Sequence, residues 1–210
     1  MKTFGEKKRT KLFQAVDNNN YPQVILLIKD AKKFGERPKK ELVNKPDIKG
    51  WTPLMEASYH NNLPILNLLI EEGSIVSKKN NNGDTAAYIA AENGKNDVLR
   101  HLLISGVRVD ERDRGNYTLL HKAASYNCHS TVDMLLNEFK GRSFINDNSN
   151  DWQRTPLINA IRNYGDLKMA RMLIGAGADK RKVDRDKKTA LEYAKKEKKR
   201  EIVKFLEDKK

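Results

Sequence analysis

The strongest constraint on the fold is a recurrence: Thr52, Thr85 and Thr118 follow one another at intervals of 33 residues, and each opens the same kind of stretch. The copy from Asp47 to Lys79 shows what the stretch encodes. Gly50 supplies the positive φ of a tight turn. Thr52 can cap a helix with its hydroxyl, and Pro53 stands at the first helical position, where a missing N–H costs nothing. Leu54, Ala57 and Ser58 share one helical face, the last two small enough for a second helix to lie close. Asn61-Asn62 breaks the run. Pro64 then starts a second helix with Ile65, Leu66, Leu68, Leu69 and Ile70 as its apolar stripe, and Gly73 is its C-terminal stop. A turn followed by an antiparallel helix pair cannot bury its apolar face by itself, so the pattern requires neighbours of the same kind.

The neighbours are present on both sides. Gly83-Asp84-Thr85-Ala86-Ala87-Tyr88-Ile89-Ala90 is followed by Val98, Leu99, Leu102, Leu103 and Gly106. Asn116-Tyr117-Thr118-Leu119-Leu120-His121-Lys122-Ala123 is followed by Val132, Leu135 and Leu136. A fifth copy runs Thr155-Pro156-Leu157-Ile158-Asn159-Ala160 and closes on Gly175-Ala176-Gly177-Ala178-Asp179; a sixth runs Thr189-Ala190-Leu191-Glu192-Tyr193-Ala194 before Ile202, Val203, Phe205 and Leu206. A worn first copy is Thr10-Lys11-Leu12-Phe13-Gln14-Ala15 with Val24, Leu27 and Ile28. These motifs resemble the ankyrin Thr-Pro-Leu-His-x-Ala pattern, and 33 residues is that family's period. The resemblance covers nearly all of the chain. It implies an all-α ankyrin-repeat solenoid of stacked helix-turn-helix units with β-turn or hairpin fingers. The expected layout is a single domain over residues 1–210 with repeats at about 6–46, 47–79, 80–112, 113–149, 150–183 and 184–210.

Departures from the period locate insertions. Thr10 and Thr52 are 42 residues apart, which predicts an extra basic loop over Lys32 to Lys40 with Gly35 and Pro38 in it. Thr118 and Thr155 are 37 apart, which predicts a second loop at Lys140-Gly141-Arg142-Ser143. Asn116 replaces the turn Gly and is the next best residue for a left-handed backbone. Gln153 at the same position predicts a less regular turn.

Composition bears on compartment and partners. A single cysteine, Cys128, excludes an internal disulfide framework and suits a reducing compartment. Apolar runs such as Val24 to Ile28 are too short to cross a bilayer. Lys2, Lys7, Lys8, Arg9 and Lys11 are interrupted by Glu6, so cytoplasmic residence is expected ahead of organelle import, with the nucleus as the alternative. Of the net charge of +13, residues 1–46 carry 12 Lys/Arg against 5 Asp/Glu and residues 150–210 carry 18 against 10, while residues 47–149 carry 11 against 13. Both ends are basic. That excess serves a binding role or the solubility of the end caps equally well, and Lys195-Lys196-Glu197-Lys198-Lys199-Arg200 fits a polar cap better than an import signal.

No catalytic, metal or cofactor constellation is expected. His60, His101, His121 and His129 lie in different repeats without metal-ligand spacing, Cys128 has no second cysteine, and no glycine-rich phosphate loop is present. In ankyrin stacks, the two residues after the turn Asp, the residue before the Thr, and those seven and eight beyond it line the fingers and the concave groove. Carried over, these positions hold Trp51, Tyr59 and His60; Asp84, Glu92 and Asn93; Arg114, Tyr117, Ser125 and Tyr126; Asp151, Trp152, Arg154, Arg162 and Asn163; then Arg185 and Lys188. The set expected to bind a partner is Trp51, Tyr59, His60, Arg114, Tyr117, Tyr126, Trp152, Arg154, Arg162, Arg185 and Lys188, rich in the Trp, Tyr and Arg that dominate interface hot spots. His121 is expected to bond the turn backbone. The expected function is a non-catalytic protein–protein interaction module, a scaffold, adaptor or assembly subunit, whose partner presents acidic patches. Nucleic-acid or ribonucleoprotein binding through the basic termini is the alternative, an enzyme-regulatory subunit a third, and neither a membrane nor a small-molecule substrate is expected.

Overall fold

From the second copy on, each repeat begins at a turn that closes on itself. The structure, a computed structural model, describes residues 10–208, and the basic residues Lys2, Lys7, Lys8 and Arg9 lie outside them. An Asp or Asn five residues before the capping Thr organises the turn through one carboxylate or amide oxygen. Asp47 Oδ1 accepts from the backbone N–H of Lys49 (2.8 Å) and Trp51 (3.0 Å), and Asp113 Oδ1 from Gly115 and Tyr117 (2.9 Å each). Asn80 and Asp184 repeat the arrangement. The position after the tip is left-handed in the five copies whose turns are described: Gly50 (φ 77°), Gly83 (84°), Asn116 (61°), Gln153 (54°) and Lys187 (62°). Gln153 thus adopts the same backbone as the glycines, and Asn150 Oδ1 accepts from Arg154 N as in the other turns; this turn departs from them in that Asn150 donates to Arg154 O from its side-chain Nδ2, where the other four donate from the backbone N–H.

The helices start where the threonines stand. Thr10, Thr52, Thr118, Thr155 and Thr189 each accept a hydrogen bond from the backbone N–H three residues on, which satisfies a donor that the first helical turn leaves open. Described residues form thirteen α-helices, and extended pairing among them is limited to one isolated bridge, Val183 to Thr189. Two compact units emerge, unit 1 comprising Met1–Ala90 with Asp97–Val107 and unit 2 comprising Ala91–Asn96 with Arg108–Lys210.

In unit 1, α1 (Lys11–Asp17) pairs with α2 (Tyr21–Lys32) and packs on α4 (Pro53–Tyr59), while α2 meets α5 (Leu63–Glu71). Leu12, Val16, Val24, Leu54, Ala57, Ile65, Leu66 and Leu69 are fully buried between them, each large aliphatic contributing about 1.5–3 kcal/mol. The predicted basic loop is in fact a helix, α3 (Glu36–Val43), packed on α2. Gly35 precedes it at φ 107°, and Pro38 falls in its first turn, where no intrahelical N–H is required. Most cations of the segment are turned inward or paired, while Lys40 stays exposed. Lys39 is 7 % exposed and lies 2.7 Å from Glu36 and 3.1 Å from Glu72, Lys32 reaches Glu72 at 2.7 Å, Lys33 reaches Asp30, and Arg37 reaches Glu41. The hydrogen bond that Lys39 donates to Glu36 raises its ammonium above the ordinary pKa. α6 (Ala86–Glu92) and α7 (Asn96–Ile104) follow, with Tyr88, Leu99 and Leu102 buried.

In unit 2, α8 (Leu119–Ser125) pairs with α9 (His129–Glu138), α10 (Pro156–Asn163) with α11 (Leu167–Gly175), and α12 (Ala190–Lys196) with α13 (Arg200–Glu207). The first helices of the pairs stack in the order α8, α10, α12, and α11 packs on α13. The second predicted loop is a single 3-10 turn, Gly141–Phe144, folded back on α9. Gly141 is required there, since a Cβ would stand 2.5 Å from the Leu135 carbonyl oxygen.

Candidate protein-interaction site

The residues singled out in the sequence fall into two groups, one in each unit. In unit 1, Trp51 and Tyr59 meet edge to face with ring centroids 6.1 Å apart, and Tyr59 meets His60 at 5.2 Å. Tyr59 is 45 % exposed while Trp51 is half-buried, so Trp51 serves as a packing support for the exposed ring. His60 Nε2 lies 3.3 Å from both Asp17 and Glu56. These three side chains offer ligand atoms within 4.8 Å of one another, a juxtaposition the sequence concealed because Asp17 belongs to another repeat; mutual hydrogen bonding accounts for it without an ion. Asp84 is buried at its turn.

Unit 2 carries the larger group. Tyr117, Tyr126, Arg154 and Arg162 line one recess of ≈ 180 Å³ together with His121, Lys122, Ser125, Asn159 and Asn163. Tyr126 is 47 % exposed and Tyr117 is half-buried, with its ring edge-on to His121 at 5.6 Å. Burial raises the Tyr117 phenol above its ordinary pKa against the pull of the Arg154 guanidinium. Trp152 is 45 % exposed at the neighbouring turn, and the Arg154 guanidinium stacks over it at 4.7 Å. Arg154 itself does not project: it is 6 % exposed and its Nε lies 3.3 Å from Asp184, which is fully buried. Burial would raise the Asp184 carboxyl, but the Tyr193 hydroxyl at 2.6 Å, the Lys188 backbone N–H and Arg154 outweigh it and hold it low. Arg154 is therefore the floor that sets the rings, where the sequence had placed a contact residue. Its burial follows from a carboxylate thirty residues further on.

Arg114, Arg162 and Arg185 are exposed, and none has an acidic partner among the described residues. Arg185 is fixed through its backbone, whose N–H donates to Trp152 O at 2.9 Å. Lys188 lies over the Tyr193 ring at 6.0 Å. Lys122, by contrast, is neutralised by Asp113 (3.2 Å) and Glu92 (3.8 Å). His121 is fully buried, and its Nε2 lies 2.9 Å from Arg154 O and 3.1 Å from Asp147 O, bonding the next turn's backbone as expected. Sequence reasoning passed over Asn159 and Lys122, four residues beyond the capping threonines. The signal was available, because positions four, seven and eight share one helical face. A wider recess of ≈ 1040 Å³ in unit 1 runs between α3 and residues 73–78, but it holds none of the predicted contact residues.

Comparison with known proteins agrees with the turns and caps. A model of the family "Ankyrin repeats (3 copies)" matches residues 12–113, 74–145, 89–184 and 120–210. Alpha-latrotoxin-Lh1a of Latrodectus hasselti is 40 % identical over 83 residues, 39 % of this chain and 6 % of the toxin. A putative ankyrin repeat protein of Fowlpox virus, FPV031, is 29 % identical over 107 residues, 50 % of this chain and 31 % of the viral protein. The match thus spans only a small part of these curated relatives. Among solved structures, the predatory endopeptidase Bd0816 from Bdellovibrio bacteriovorus in complex with immunity protein Bd3460 provides a chain 30 % identical with a TM-score of 0.80, covering 97 % of this chain and 100 % of that one. The ankyrin repeat domain of Bcl-3 is 28 % identical with a TM-score of 0.77, covering 94 % and 85 %. Recurrent turns, capping threonines and a family match running from residue 12 to residue 210 lead to one conclusion: the chain belongs to the ankyrin-repeat family.

Proposed function

We propose that the chain is a non-catalytic protein-interaction module, a scaffold, adaptor or assembly subunit, that engages an acidic surface of a partner protein through the face of unit 2 bearing Tyr117, Tyr126 and Trp152. The observation that carries this reading is the placement of Tyr117 and Tyr126 beside Arg162 in one recess, with the exposed Trp152 at the neighbouring turn stacked on Arg154 of a buried Arg154–Asp184 pair. Large rigid side chains lose little conformational freedom on docking, and a few such anchors dominate most interfaces. Ankyrin repeats are generally protein–protein interaction modules, and a structural relative is described in a complex with another protein, which supports a protein as the partner. The exposed Arg114, Arg162 and Arg185 support an acidic surface on it. No described helix is long and apolar enough to cross a membrane.

The test is affinity purification from the native source with and without nuclease, repeated with point variants. Tyr126→Ala and Trp152→Ala should each weaken the recovered partner by more than about 1 kcal/mol, with an unchanged melting temperature. Lys168→Ala, exposed on α11, should do little. Normal binding by both aromatic variants would refute the assignment of this face, and loss of the complex on nuclease treatment would favour nucleic-acid association through the basic ends.

A further inference from the structure

We propose that the recess of unit 2 reads one acidic side chain of its partner, the carboxylate of a Glu or Asp in an extended protein segment, with Ser125, Asn159 and Arg162 as the reading groups. The proposal rests on this face being the protein-binding one, and it adds the chemistry that would be selected. Three cations line the recess, but two already face carboxylates: Lys122 lies 3.2 Å from Asp113, and Arg154 lies 3.3 Å from Asp184. Arg162 contacts only the Asn163 amide oxygen, at 3.3 Å. Arg162 is therefore the one lining cation with no carboxylate beside it among the described residues, and it is the one left to pair with an incoming carboxylate.

The hydrogen-bonding inventory points the same way. Asn159 is 5 % exposed and Ser125 9 % exposed, both line the recess, and the side chain of neither is hydrogen-bonded to any described residue. Their side chains are mostly covered while their polar atoms open into the recess and are committed to no other described residue, so they are available to a ligand. A hydroxyl, a carboxamide N–H and a guanidinium are three donors, and an ionised carboxylate is a pure acceptor. Tyr117 and Tyr126 supply apolar walls for the aliphatic stem. The volume of ≈ 180 Å³ is well below the roughly 300–1,000 Å³ of sites for free small molecules, so it suits one side chain of a larger partner.

A random peptide library displayed and selected on the purified protein tests this, followed by affinity measurements with a selected synthetic peptide. The selected peptides should share one Glu or Asp, and changing it to Gln or Asn should weaken binding by about tenfold or more. On Arg162→Gln and Asn159→Ala that loss should shrink to a small factor, with Ser125→Ala intermediate, all three melting like the parent. Recovery of no peptides, a neutral Glu→Gln change, the same Glu→Gln loss on all proteins, or tighter binding of a phosphoserine in place of the acid would each overturn the proposal. Peptides that depend on Tyr126 but not on Arg162 or Asn159 would leave the groove standing and remove the acid pocket. Peptides indifferent to Tyr126→Ala and Trp152→Ala would remove both.

Discussion

His121 is an imidazole held neutral in the core, and its role is to tie one repeat to the next. Burial pushes its pKa below the ordinary 6.5, and both ring nitrogens are engaged, Nδ1 with Thr118 and Nε2 with carbonyls of Asp147 and Arg154. Protonation would destroy the acceptor at Nδ1 and bury a charge. With the folded pKa lowered, the unfolded chain binds more protons just below the ordinary value, so the stability contributed is present above about pH 6.5 and lost as pH falls. Melting temperature should therefore drop between about pH 7.5 and about pH 5.5, and His121→Asn should flatten that dependence while lowering the plateau. An equal slope in the variant would show that other groups are responsible. Asp184 is the second such residue: one oxygen holds its own turn, the other holds Arg154 and the Tyr193 hydroxyl. Asp184→Ala leaves a buried guanidinium uncompensated and should cost roughly 3–5 kcal/mol in a urea melt. A loss below about 1 kcal/mol would place the pair in solvent.

At the scale of the element, the turns show which positions are strained and which are not. Gly50 and Gly83 reach the left-handed backbone freely, whereas Gln153 and Lys187 reach it with a Cβ in place. Lys187 is exposed and its side chain engages no described residue, so Lys187→Gly isolates the backbone contribution. Relief of left-handed strain, offset by the greater freedom of Gly when unfolded, should stabilise the chain by about 0.5–1 kcal/mol. A decrease in melting temperature would mean that the side chain has a contact of its own. The same logic explains α3: a segment holding both Gly35 and Pro38 reads as a loop, yet Gly35 serves as the cap and Pro38 occupies the first turn, so both residues permit the helix.

For the molecule as a whole, the net charge of +13 is less available than the composition implies. In unit 1, Lys32, Lys33, Arg37 and Lys39 are paired. In unit 2, Lys195 reaches Glu207 at 2.8 Å and Lys199 donates to the Ile161 carbonyl at 2.8 Å. Under the proposed reading, the exposed Arg114, Arg162 and Arg185, which have no acidic partner among the described residues, are the charges that meet the partner. Attraction through such exposed charges is screened over about 8 Å at physiological ionic strength, so affinity for an acidic partner should fall as salt rises, mainly through slower association. Reversing Arg114 and Arg185 together should reduce that salt dependence more than reversing Lys195 and Lys199. The opposite order would move the contact to the C-terminal cap.

The sequence by itself determined whatever repeats locally: the period, the capping threonines, the left-handed turn positions and the apolar stripes. Each of these is set by a residue's own backbone preference or by neighbours three and four positions away, and so is written where it acts. It also contained a further signal, the Asp or Asn five residues before each of Thr52, Thr85, Thr118, Thr155 and Thr189, whose side-chain oxygen accepts the turn's N–H groups. Only the tertiary structure decided which charges face solvent. Arg154 and Arg162 look alike in sequence and both stand at groove positions; Asp184 from the next repeat buries the first, and no carboxylate reaches the second. Likewise Ser125 and Asn159 become one site only when α8 and α10 stack. Burial and charge pairing depend on residues thirty or more positions away, and no local periodicity records which of them arrive.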